Sequence, residues 1–246
     1  MNKMKKVMLR FREVTWKDFI VVVSLFLIIE CLSIVVMRFG HQFVEGLNSS
    51  SEVLLGSLIQ LLAYMTTIFI FYFLHMNDFY AKFNTGVEVI KQNKAWLVGI
   101  FIIMFVASYL YNFVVQYLPG GWGFSETQNE MQLQILFKNP QFLPFSFLLI
   151  VIAAPLVEEI IFRHLMIGEL GKVFNFKVMG VISAILFSFM HVSSAASPFE
   201  FGSYFILAVA LVYAYVKTKN KLIVSFSLHM LNNLVSFIIT VLMMYQ

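Results

Sequence analysis

A chain of 246 residues in which 60% are hydrophobic and only 12% are charged, with a mean hydropathy of +0.85, is too apolar for an ordinary soluble domain. Its formal net charge of +4 comes without a basic patch interleaved with aromatics, so nucleic acid is excluded as a partner and the lipid bilayer is the expected surrounding. Cys31 is the single cysteine, which rules out an internal disulfide and a cysteine-based zinc site.

Breaking the chain at its polar clusters predicts about seven spans, at 19–37, 53–76, 95–117, 142–170, 178–195, 203–216 and 222–243. Each is close to the ~20 residues a membrane-crossing helix needs, and the sixth is the shortest. The expected fold is all-α, a polytopic helical bundle forming one integral membrane domain over 1–246. The first run follows a basic stretch, but it is long, contains Glu30 and lacks a small-residue cleavage site, so it reads as a retained span. Glu30 is expected to be protonated or hydrogen-bonded to a neighbouring span. Fifteen of the 17 basic residues fall on one side of this arrangement, with only Arg38 and Lys138 opposite. Short cytoplasmic loops collect Lys and Arg, so the N-terminus is expected to be cytoplasmic.

Between the third and fourth runs, Pro119, Gly120 and Gly121 signal a turn, and Ser125 with Gln128 three residues later forms a capping-box pattern. A short interfacial helix and an irregular loop both fit the remainder, up to Gln141. Gln60, Asn112 and Gln116 are expected to hydrogen-bond between helices. His41, His75 and His164 are assigned to interfaces.

The fourth run carries the most informative residues, Glu158, Glu159 and Arg163. A charge at the centre of a membrane helix costs about 2.5–3.5 kcal/mol on insertion scales, so an acid there is a functional candidate. Residues four apart share a helix face while neighbours diverge by about 100°, so Glu159 is expected to pair with Arg163 and leave Glu158 free to act. Pro155, three residues earlier, should interrupt the helix beside the acids. His191 closes the run containing Phe187, and His229 lies in the last run with Asn233 one turn on. At ~1.5 Å per residue, Glu158 and His191 lie about 18–20 Å from the turn joining their helices. His229 lies roughly 12 Å in, with Asn233 about 6 Å deeper. These depths overlap, and the four groups are expected in one buried pocket reached from the cytoplasmic side.

Glu158-Glu159-x-x-x-Arg163, Phe187-x-x-x-His191 and His229-x-x-x-Asn233, in that order, resemble the three motifs of the CPBP family, the CAAX proteases and bacteriocin-processing enzymes also called Abi proteins. The resemblance covers 142–240, its catalytic core; the spans of 1–141 carry no matching motif, and His164 occupies no motif position. It implies an intramembrane endopeptidase in which Glu158 and His191 activate water while His229 and Asn233 steady the oxyanion. Glu159, Arg163 and Phe187 would support them. The implied substrate is a membrane-associated peptide or a lipidated protein.

One Glu and two His also make a His2Glu set, so Glu158, His191 and His229 are candidate ligands for a divalent ion such as zinc, and the sequence leaves this open. Two other functions stay in view: a noncatalytic bacteriocin-immunity or regulatory protein with the same fold, and an ion-coupled transporter, which the absence of paired halves disfavours. Substrate identity and oligomeric state are not legible in the sequence.

Overall fold

The computed structural model describes residues 10–39 and 49–246 and consists of helices and their connections. His41 and the basic residues Lys3, Lys5 and Lys6 lie outside the described residues. A short 3-10 turn, Trp16–Phe19, leads into α1 (Ile20–Phe39), followed by α2 (Ser49–His75), α3 (Phe79–Gln92) and α4 (Lys94–Val115). Then come the short α5 (Gln128–Gln134), the long α6 (Pro140–Phe174), α7 (Phe176–His191), α8 (Glu200–Lys217) and α9 (Leu222–Tyr245). Among the described residues, six helices are long and apolar enough to cross a bilayer, and α7 is a shorter apolar one. The protein is therefore a multi-pass integral membrane protein built as a helical bundle. The short span is the fifth, not the sixth: the run expected to continue to 195 ends as a helix at His191, where Ser193 and Ser194 begin a polar turn.

Large apolar side chains such as Phe26, Ile34, Phe69, Ile103 and Met243 face outward, as lipid requires. Inside, small residues let the helices approach, since lipid removes the hydrophobic drive between apolar helices and leaves packing and hydrogen bonds to hold them. Ala184 and Ala208 pack with Phe162 and Phe187, joining α6, α7 and α8. Ser183 Oγ donates to the Phe162 carbonyl at 2.7 Å, and Ser203 Oγ donates to Asn112 Oδ1 at 2.7 Å between α8 and α4. Asn112 thus meets its interhelical expectation, whereas Gln60 donates to Tyr64 Oη at 2.9 Å and Gln116 to the Phe113 carbonyl at 3.1 Å, both within their own helical stretches. Glu30 is exposed on the outer face of α1.

Two features went unpredicted. The amphipathic helix α3 lies across the link between α2 and α4 and meets α9 so closely that a Cβ on Gly86 would fall 1.7 Å from Ile223 Cγ2. A short helix, α5, does form in this connection, but its capping box is Thr127 with Glu130, two residues beyond the expected Ser125 and Gln128. Both sequences fit the pattern; Thr127 prevails where its hydroxyl also meets Tyr204 Oη at 2.8 Å.

The span α6 is not a uniform α-helix. Leu148–Ala153 and Ile160–Glu169 are π-helical, and Ala154–Glu159 between them is α-helical. Wide turns of this kind recur at functional sites. Half of the α6 apolar window is buried inside the protein, against 11% for the first span.

Candidate active site

The α-helical hexapeptide between the two π segments carries both acids at its end, and each acid meets different atoms of one imidazole. Glu159 Oε1 lies 3.2 Å from His229 Nδ1, and Glu158 Oε2 lies 3.7 Å from His229 Nε2. Glu158 Oε2 is also 3.8 Å from His191 Nε2. Three of the four sequence-selected site residues, from α6, α7 and α9, thus meet around one carboxylate.

The ring orientations follow from their outer partners. His191 Nδ1 sits 2.8 Å from the Phe187 carbonyl, which only accepts, so the proton is assigned to Nδ1 and Nε2 is left facing Glu158. His229 Nδ1 donates to Glu159 in the same way. Tyr204 stacks on His191 at 4.7 Å between centroids and 23° between planes, and through Thr127 it ties the site to the 116–139 connection. Tyr204 belongs to no expected motif; only its place near the start of an apolar run marks it, and that signal is common to many tyrosines.

Glu159 and Arg163 pair as the spacing predicts, Nε to Oε2 at 3.4 Å, with both side chains fully buried. The guanidinium lies over the Phe187 ring, 4.7 Å from its centroid, which gives the motif phenylalanine a cation–π role. The second role of Glu159, orienting His229, was not foreseen.

Asn233 is one turn from His229, and its Nδ2 donates to the Ile150 carbonyl at 2.9 Å. The reason lies in α6. Ala154 N–H bonds back five residues to the Leu149 carbonyl. The next bond of that series would run from residue 155 to Ile150, but Pro155 has no N–H. Asn233 supplies the missing donor, and it keeps a second amide hydrogen. The interruption expected at Pro155 therefore takes the form of a carbonyl handed to another helix.

Access differs from expectation. His191 is the last residue of a short helix, its side chain is 16% exposed against 2% for His229, and it adjoins Tyr204 and the 192–199 turn. The open edge thus faces the 116–139 connection, away from the basic end. Measuring depth along α7 gave the right level for His191 but not that level's closeness to the far surface.

A tetrahedral zinc ion with bonds of ~2.0–2.1 Å sets its ligand atoms about 3.4 Å apart. Glu158, His191 and His229 do not bring three ligand atoms within 4.8 Å of one another. As arranged, this set does not fit a zinc centre.

Residues 140–235 match the family described as type II CAAX prenyl endopeptidase Rce1-like. The match over that segment is consistent with a CPBP/CAAX protease family. The match lies wholly in the second half and takes in every motif residue named above. No curated protein and no solved structure matches the chain. Similarity to a CAAX protease family over that segment supports an enzyme acting on a peptide or protein substrate at the membrane.

Proposed function

We propose that this protein is an intramembrane endopeptidase in which Glu158 activates water to hydrolyse a peptide bond of a membrane-associated peptide or protein. The observation carrying this reading is the position of Glu158 Oε2, 3.8 and 3.7 Å from the Nε2 atoms of His191 and His229. With Nδ1 protonated on each ring, these three atoms are all acceptors, and a water seated among them has the two hydrogens to satisfy a carboxylate and an imidazole.

Glu158 removes a proton from that water, and the resulting hydroxide attacks the scissile carbonyl carbon. The proton passes to an imidazole Nε2, and the C–N bond breaks as the departing amine takes it. Glu159 holds His229 by Nδ1, as the acid of a catalytic triad orients its histidine. The second amide hydrogen of Asn233, and His229 Nε2 while it holds the proton taken from water and before the amine receives it, hydrogen-bond the oxyanion, a contribution of about 3–4 kcal/mol per donor in comparable sites. No step runs through a metal.

Purified protein in detergent, incubated with peptides with and without a prenyl group, tests this directly. Glu158→Gln should lower cleavage by about 10²–10⁴-fold without changing thermal unfolding. Cleavage that persists in Glu158→Gln would overturn the reading.

A further inference from the structure

At the opposite, basic end of α6 lies a second histidine–carboxylate cluster that the proteolytic reading does not use. Asp18 comes from the turn before α1, His75 from the last residue of α2 and His164 from the second π segment of α6. Among the described residues, only these three bring their ligand atoms within 4.8 Å of one another. Asp18 Oδ2 lies 2.7 Å from His164 Nε2 and 3.3 Å from His75 Nε2. The carboxylate is buried, and its other oxygen, Oδ1, has no hydrogen-bond partner among the described residues.

The protonation pattern calls for a cation. His75 Nδ1 faces the Phe71 carbonyl at 3.1 Å and carries the ring proton, so in the neutral ring Nε2 turns a lone pair toward a carboxylate oxygen. Two acceptors at 3.3 Å repel unless a positive centre lies between them. A histidine that gives its far nitrogen to a backbone carbonyl is also the usual outer arrangement of a metal ligand. The Asp18–His75 separation is already close to the ~3.4 Å edge of a tetrahedral zinc site, and the Asp18–His164 pair needs only to open. Phe71 walls the cluster, its ring 4.4 Å from His75 and 5.2 Å from His164. His164, with 18% of its side chain exposed, leaves an approach for an ion and a fourth ligand from water. Lys17 turns its ammonium away, onto the Leu74 carbonyl at 2.9 Å.

We propose that Asp18, His75 and His164 bind one divalent transition-metal ion of the zinc class, which clamps the N-terminal turn and the end of α2 to the helix that carries the catalytic acids. The ion is structural and lies apart from the Glu158 centre, so the two assignments stand or fall separately.

Full-length protein in detergent, stripped with chelator and then titrated with Zn2+ against a chromophoric competitor, should take up one equivalent and unfold at a higher temperature. Co2+ in place of Zn2+ should give the intense visible bands of a tetrahedral N/O site. His164→Gln and His75→Gln should each abolish the equivalent, while Glu158→Gln should keep it. His164→Gln changes a partly exposed residue, so it keeps the test valid if replacing buried Asp18 unfolds the chain. The proposal fails if no stoichiometric metal binds, if His164→Gln binds as the unaltered chain does, or if Glu158→Gln removes the equivalent. Failure to bind would mean that a protonated imidazole supplies the charge.

Discussion

Glu30 in α1 and Glu158 in α6 are the same residue type in two apolar helices, yet one is exposed at the bundle surface and the other is enclosed by two histidines. The helices around them differ in the same sense, with 11% of the α1 window buried and 50% of the α6 window. Hydropathy ranks such spans together because it counts transfer from water and is blind to whether the neighbour is lipid or protein. A catalytic acid needs the second environment, since only protein can offer fixed polar partners at that depth. α1 and α4 present apolar faces outward, and α6 carries the buried acids Glu158 and Glu159.

The contrast can be broken most severely at Arg163. Arg163→Met leaves Glu159 buried without its pair and should cost about 3–5 kcal/mol, read as a large drop in thermal unfolding in detergent. A shift no greater than that of a lipid-facing substitution would show that the pair contributes little.

Asn233→Ala should cost about 1–3 kcal/mol, because it strands the Ile150 carbonyl. Pro155→Ala restores an N–H at the right position, so the double variant should recover most of that stability. If cleavage stays low in the double variant while unfolding returns to normal, Asn233 acts on the oxyanion as well as on α6; if both return together, its role is confined to the helix.

Gly86→Ala should cost about 1–3 kcal/mol by forcing α3 away from Ile223, with partial rescue by Ile223→Ala. Far from the acids, Ser203→Ala should remove only about 0.6 kcal/mol, the usual worth of one interhelical hydrogen bond in a membrane bundle. A loss as large as that of Arg163→Met would erase the distinction between the buried acids of α6 and the rest of the bundle.

Spans, motif histidines and the Glu159–Arg163 pair were readable because they depend on composition and on a fixed angular step along a helix. The double engagement of His229 was not, since neighbouring acids on a regular helix diverge, and they meet one ring because His229, supplied by α9, turns a different nitrogen to each. Helix α3 was passed over although Phe79, Phe83, Val87 and Ile90 follow helical spacing, because the polar residues between them read as a loop. Asp18, His75 and His164 are scattered over three segments, and no spacing rule links residues that far apart. The cap at Thr127 instead of Ser125 was decided by a tertiary partner, Tyr204, that local pattern does not contain.

The i→i+5 turns at Leu148–Ala153 carry an evolutionary consequence. Such a bulge behaves as one inserted residue, and each residue rotates the downstream helix by about 100°. If the same residues coiled as a regular α-helix, the downstream helix would turn by about 100° and swing both carboxyl groups off their azimuth toward neighbouring helices or acyl chains. Length, oiliness and the downstream motif string would barely register the change, so a descendant could keep every signature residue and still be inert.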